Sequence, residues 1–123
     1  MTEEHIIFKG DNTAAFGNNF ITITVKNPLL YPISKLLFVI NGGDAIKPKE
    51  FTDEDNFQRE EITLTVNLDS EETKKLKDKN TGNLVAYDMQ GQQATCVQTL
   101  IFNAKNGVIY KNGKPCCWFY NRI

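Results

Sequence analysis

The chain has 123 residues, 41% hydrophobic and 24% charged, which suits one globular domain and excludes a disordered or fibrous class. A formal net charge of −1 leaves no basic excess to neutralise phosphates, so nucleic acid is excluded as a partner. The longest apolar run, residues 36–40, is far too short to span a bilayer. The opening MTEEHIIFKGD is acidic and lacks an apolar h-region, so no signal peptide is expected and the protein is expected to be made in the cytoplasm. Cys96, Cys116 and Cys117 are odd in number and lack metal-type spacing, which predicts reduced thiols.

In chain order, residues 4–8 predict a short strand, 9–13 a turn, and 12–17 an irregular link that Phe16 pins to the core. FITITVK (20–26) alternates cleanly: Ile21, Ile23 and Val25 face one way, Phe20, Thr22 and Thr24 the other. That is the period of a half-buried strand. Asn27-Pro28 ends it, and Leu29-Leu30-Tyr31-Pro32 reads as a crossover between sheets. ISKLLFVI (33–40) is apolar on both faces in its second half, as a central strand is. Asn41-Gly42-Gly43-Asp44 is a turn, and 45–51 is a short edge strand interrupted by Pro48. TDEDNFQREE (52–61) is a charged surface loop with Phe57 as its anchor. EITLTVNL (61–68) repeats the alternation, with Ile62, Leu64, Val66 and Leu68 inward. Two threonine-faced strands predict two solvent-facing sheet surfaces.

Residues 69–79 carry the one helical pattern. Asp69 and Glu72 have capping-box spacing, acids open the segment, and Lys74, Lys75, Lys77 and Lys79 close it. With Leu76 as its one strong apolar residue, the helix is expected to cover an end of the fold rather than form a layer. Gly82 or Asn80 would take a left-handed cap. The chain is organised around a hairpin, with arms at 83–88 and 94–102 and a turn at 89–93 containing Gly91. Cys96, Gln98 and Leu100 share one face of the second arm; Leu84, Ala86 and Asp88 share one face of the first. A strand at 108–110, an Asn-Gly turn at 111–114 and a last strand at 115–120 follow. Short strands with turns at roughly 8–12-residue spacing predict a single all-β domain over 1–123, an antiparallel β-sandwich of immunoglobulin-like topology with one short helix covering an end.

Chemistry is sparse. His5 stands alone, without ligand spacing for a metal. Ser34 and Ser70 lack a nucleophile-elbow context, and Cys96 sits mid-strand without a general base. Glu50, Asp53, Glu54 and Asp55 lack the spacing of a calcium loop and read as a solvated face. Gly42-Gly43 belongs to a turn rather than a phosphate loop. The reading is therefore of a protein with no catalytic residue, cofactor or metal. Tyr110, Trp118, Phe119 and Tyr120 form the expected interaction group, either a protein-contact patch or a sugar-stacking platform.

The run 64–73, the stretch Asn83-Leu84-Val85-Ala86-Tyr87-Asp88 and the step Gly91-Gln92-Gln93-Ala94-Thr95-Cys96 resemble the pattern of phage and prophage structural proteins. The nearest group is the N-terminal domain of the phage baseplate upper protein, whose immunoglobulin-like strands end in a YD-x-x-G turn. The resemblance spans roughly residues 6–110 in strand order. It implies a non-catalytic tail or baseplate module in the virion, whose partners are other phage structural proteins or further copies of itself in a homo-oligomer. The alternative is a stand-alone carbohydrate-binding module using the C-terminal aromatics.

Overall fold

Residues that alternate in sequence alternate in burial. The computed structural model describes residues 15–16, 20–27, 29–103 and 109–112. Their strands are β1 (Ala15–Phe16), β2 (Phe20–Lys26), β3 (Lys35–Ile40), β4 (Lys49–Phe51), β5 (Glu61–Asn67), β6 (Asn80–Tyr87), β7 (Gln98–Phe102) and β8 (Ile109–Asn112). One short α-helix, α1 (Ser70–Lys74), lies between β5 and β6 among the described residues, and a 3-10 turn (Asn41–Gly43) follows β3. In β2 the buried residues are Ile21, Ile23 and Val25; in β5 they are Ile62, Leu64 and Val66. Period-2 burial of β-branched residues is what fixes each strand's face.

The strands form two antiparallel sheets, in the orders β1-β2-β5 and β4-β3-β6-β7-β8. The chain changes sheet between β2 and β3, through residues 27–34, so the expected crossover is found there. With the second and fifth strands in one sheet, and the third, sixth and seventh in the other, the two antiparallel sheets make the expected all-β sandwich. The inward faces meet in one core that includes Ile21, Ile23, Leu36, Phe38, Ile40, Ile62, Leu84, Leu100 and Phe102. Gly82 in β6 is fixed by that core. A Cβ there would lie 2.5 Å from Cζ of Phe38 and 3.3 Å from Cε1 of Phe102, so only hydrogen leaves room for both rings.

Several expectations are corrected. The two threonine rows line one surface rather than two, because β2 and β5 are neighbours, with Thr22 opposite Thr65 and Thr24 opposite Thr63. Within the expected link 12–17, Ala15 and Phe16 pair with β2. The helix spans only Ser70–Lys74 instead of 69–79, although its capping box is present. Beyond it Leu76 packs against the core, and the Asn80 side chain donates to the Lys77 carbonyl and accepts from the Lys77 amide, both at 2.8 Å. A side-chain-closed turn thus satisfies backbone groups that a longer helix would have paired. Asn80 and Gly82 consequently begin a strand, and neither has a positive φ.

The second hairpin arm is also shorter than expected. Leu84 pairs with Gln98, whereas Tyr87 bridges Gln93 and the Ala94 amide donates to Ala86 O at 2.8 Å, so residues between Ala94 and Gln98 are looped out of the ladder. Strand β8 runs to Asn112, into the stretch expected to turn. The expected strand 4–8, Gly113 and the expected strand 115–120 lie outside the described residues.

α1 sits at one end of the sandwich, between β5 and β6, and an ion pair ties it to β4. Lys49, at the start of β4, places Nζ 3.0 and 2.8 Å from the two carboxylate oxygens of Glu72. Lys49 first, then the Asp69 amide, hold the Glu72 carboxyl below the usual carboxylate range.

Candidate interaction surface

The opposite end of the sandwich is built by three connections: 27–34, 52–60 and the β6–β7 turn. Asn27 follows the last residue of β2 and is fully buried. Its Nδ2 donates to the carbonyls of Tyr31 (3.2 Å) and Phe57 (2.9 Å), and its Oδ1 accepts from the Tyr31 amide (3.3 Å). Its own amide donates to Glu60 O, and its carbonyl accepts from the Leu30 amide. One asparagine thereby closes its own turn and ties it to the neighbouring loop, satisfying buried groups at both places.

Loop 52–60 is organised the same way by Asp53. The carboxylate accepts from the amides of Asp55 and Phe57, each at 3.0 Å, and from Arg59 at 2.7 and 3.2 Å. The Arg59 guanidinium, then the Phe57 amide, hold this carboxyl below its ordinary range. Asn56 and Phe57 both have φ in the left-handed region, at 55° and 57°, which turns the Phe57 ring into the core. The two loops are joined by Ile33 N to Asn56 O at 2.8 Å and by Gln58 Nε2 to Leu30 O at 3.4 Å. The third connection attaches through Ser34, whose amide and hydroxyl both donate to Tyr87 O. Beyond Tyr87, Asp88 Oδ1 accepts from the amides of Gln90 and Gln92 at 2.9 Å, and Gly91 takes φ 80°.

This scaffold holds apolar side chains outward. Leu29, Leu30, Met89 and Val97 are the exposed large hydrophobics among the described residues, and all four stand on these connections. Leu30 is 42% exposed and sits at φ 55°, a conformation that a leucine enters at a cost of about 1–2 kcal/mol. Beside the leucines are the exposed acids Glu54, Asp55 and Glu60, which form no ion pair among the described residues.

The residues singled out from the sequence are placed differently. Tyr110 lies in β8, at the sheet edge; Trp118, Phe119 and Tyr120 lie outside the described residues, as does His5. Ser34 ties a loop and Ser70 opens α1, so both have structural partners or positions. Of the acidic group, Asp53 is taken by Arg59 and Glu50 is 3.7 Å from Lys35. No group of three His, Cys, Asp or Glu placed to hold a metal occurs among the described residues. No helix among them is long and apolar enough to cross a membrane.

Cys96 corrects the expectation of reduced thiols: it is disulfide-bonded, and it packs against the core from the looped-out stretch between Ala94 and Gln98. The expectations for Cys116 and Cys117 lie outside the described residues. Sequence reasoning missed Asn27, read only as a strand terminator, and the outward leucines, read only as a connector. Leu29-Leu30 between Tyr31 and a strand end was a visible signal of an apolar loop, but nothing local says which way it points.

No family model matches the chain, and neither a curated protein nor a solved structure matches it.

Proposed function

We propose that this chain is a non-catalytic assembly module of the kind from which phage and prophage tails and baseplates are built, acting through protein contacts at the Asn27 end. The observation that carries this reading is that Leu29, Leu30 and Met89 stand exposed on the turns of one end, which the side chains of Asn27 and Asp88 hold by hydrogen bonds, with Val97 exposed on the connection leading into β7. Scattered exposed hydrophobics need no explanation, but a set confined to one rigid end is the mark of a contact surface. The Tyr87-Asp88-x-x-Gly91 turn supports the phage resemblance in physical terms. Its aspartate and glycine are the residues that make the turn, through Asp88 Oδ1 and the positive φ of Gly91.

The test is solution mass by light scattering over a concentration series, for the wild type and for the double variant Leu29→Ser/Leu30→Ser. The expected result is a species heavier than the monomer that returns to monomer in the variant, with thermal stability unchanged because both side chains are exposed. A wild type that stays monomeric at every concentration and binds glycans saturably would replace this reading with the carbohydrate-binding one.

A further inference from the structure

The two ends of the sandwich differ in charge as well as in apolar exposure. At the Asn27 end, segment 53–60 carries Asp53, Glu54, Asp55 and Glu60 against Arg59, and Arg59 is taken by Asp53. At the opposite end, Asp44, Asp69 and Glu71 are exposed as well, but segment 74–79 carries Lys74, Lys75, Lys77 and Lys79 against Asp78, with Lys47 on the adjoining loop, so the lysines gather on that side of the end. The two lysine-bearing stretches are one surface, since Lys75 Nζ donates to Ala45 O at 3.2 Å. Lys47, Lys75 and Lys77 are exposed and form no ion pair among the described residues.

That lysine surface also offers apolar area. Ala45 and Pro48 are exposed next to Lys47, and lysine stems bring four methylenes each. An acidic, leucine-tipped end and a lysine-rims-apolar end are therefore complementary, and both belong to the same chain. They lie at opposite ends of the strand axis, so one copy uses both at once without conflict. We infer that copies of this chain associate head to tail, the Leu29–Leu30 end of one seating on the Lys47–Lys75–Lys77 end of the next. Such a contact is heterologous, which generates a ring where the rotation closes and a filament where it does not. This inference rests on the assembly reading above and adds to it the partner and the second surface.

Charge reversal with mixing tests it. One variant carries Glu54→Lys, Asp55→Lys and Glu60→Lys; the other carries Lys47→Glu, Lys75→Glu and Lys77→Glu. Each alone presents like charges at both ends and is expected to run as a monomer in sedimentation velocity. Mixed in equal amounts, they are expected to associate again as alternating assemblies heavier than the monomer, because each supplies the end the other lacks. Thermal melts check that both variants are folded. The wild type gives an independent measurement should either variant fail to fold: its association is expected to weaken roughly tenfold on going from low salt to about 0.5 M. Association that persists in both variants and ignores salt, yet is lost in Leu29→Ser/Leu30→Ser, overturns the head-to-tail contact in favour of a symmetric one and leaves the assembly reading standing. A wild type that never associates overturns both.

Discussion

Asn27 and Asn80 do the same chemical work at opposite ends of the sandwich. Both are fully buried, and each uses one side-chain amide to satisfy backbone groups in two separate segments, Tyr31 and Phe57 for Asn27, Lys77 and Phe102 for Asn80. Asn80 accepts in addition from Asn41 Nδ2 at 2.9 Å, which ties the β3–β4 turn to the chain entering β6. Yet the two ends present different surfaces. At the Asn80 end, α1 is tied to β4 by the Lys49–Glu72 pair, and Leu76 packs against the core. At the Asn27 end an equally bonded framework sends Leu29 and Leu30 outward. The lesson is that rigidity and closure are separate properties. An end that is both ordered and open has spent buried hydrogen bonds on holding an exposed apolar group in place, which is what preorganised recognition requires.

The largest expected effect breaks either framework at its asparagine. Asn27→Ala leaves the Phe57 and Tyr31 carbonyls and the Tyr31 amide without their partner; Asn80→Ala does the same to Lys77 and Asn41. With about 1–3 kcal/mol for each buried group left unsatisfied, each variant is expected to lose about 3 kcal/mol in urea unfolding. Hydrogen exchange distinguishes them. Asn27→Ala should deprotect the amides of Leu30, Tyr31 and Phe57 while α1 stays protected, and Asn80→Ala the reverse. Deprotection of both ends in either variant would show that they are one cooperative unit, and the comparison would fail.

These two asparagines mark the limit of what the sequence discloses. The faces of β2 and β5 were legible because alternation reports burial directly, and the Asp69–Glu72 box was legible because both its members are local. Alternation does not report which strand lies alongside, so the shared threonine surface was not visible. An asparagine next to a proline, as Asn27 is, reads as a turn former, and it is one. Its long-range bond, from Asn27 to Phe57 across 30 positions, leaves no local trace. The disulfide at Cys96 was hidden for a related reason: an odd cysteine count names no pair. The aromatic group at Tyr110, Trp118, Phe119 and Tyr120 drew attention by composition, whereas the surface that stands out in the described residues is made of two leucines and their acidic neighbours.

A smaller effect comes from acid. Each end is locked by a carboxylate held below its ordinary range, Asp53 by Arg59 and Glu72 by Lys49. A depressed folded-state value stabilises the fold above the unfolded value and is lost as pH falls through the folded one, so the loss sets in below about pH 4. The two locks differ in what they join. Asp53 binds only its own loop, while Glu72 joins α1 to β4. Glu72→Gln is therefore expected to cost about 1 kcal/mol at neutral pH and to flatten the acid limb of the melting temperature. Asp53→Asn should instead loosen residues 55–59 in hydrogen exchange, with less change in global melting. Equal global losses from both would show that loop 52–60 supports the whole sandwich.

The smallest effect sharpens the comparison most, because both ends contain a non-glycine residue in the left-handed region. Asn41 has φ 50° and Leu30 φ 55°. Asparagine tolerates that region and here it is also employed: its Oδ1 accepts from the Thr81 amide at 2.9 Å while its Nδ2 donates to Asn80. Asn41→Gly removes these bonds and should cost about 1 kcal/mol. Leu30 has no such employment; its side chain is in solvent and its conformation is strained. Leu30→Gly relieves the strain at the expense of added freedom in the unfolded chain, and a net gain of about 0.5 kcal/mol is expected. Opposite signs for the same chemical change would mean that the closed end selects its left-handed residue for the fold, whereas the open end keeps a leucine there against the fold's own interest. A leucine retained at a cost to stability is accounted for by contact with something outside the monomer, so the variant that folds better should be the one that assembles worse.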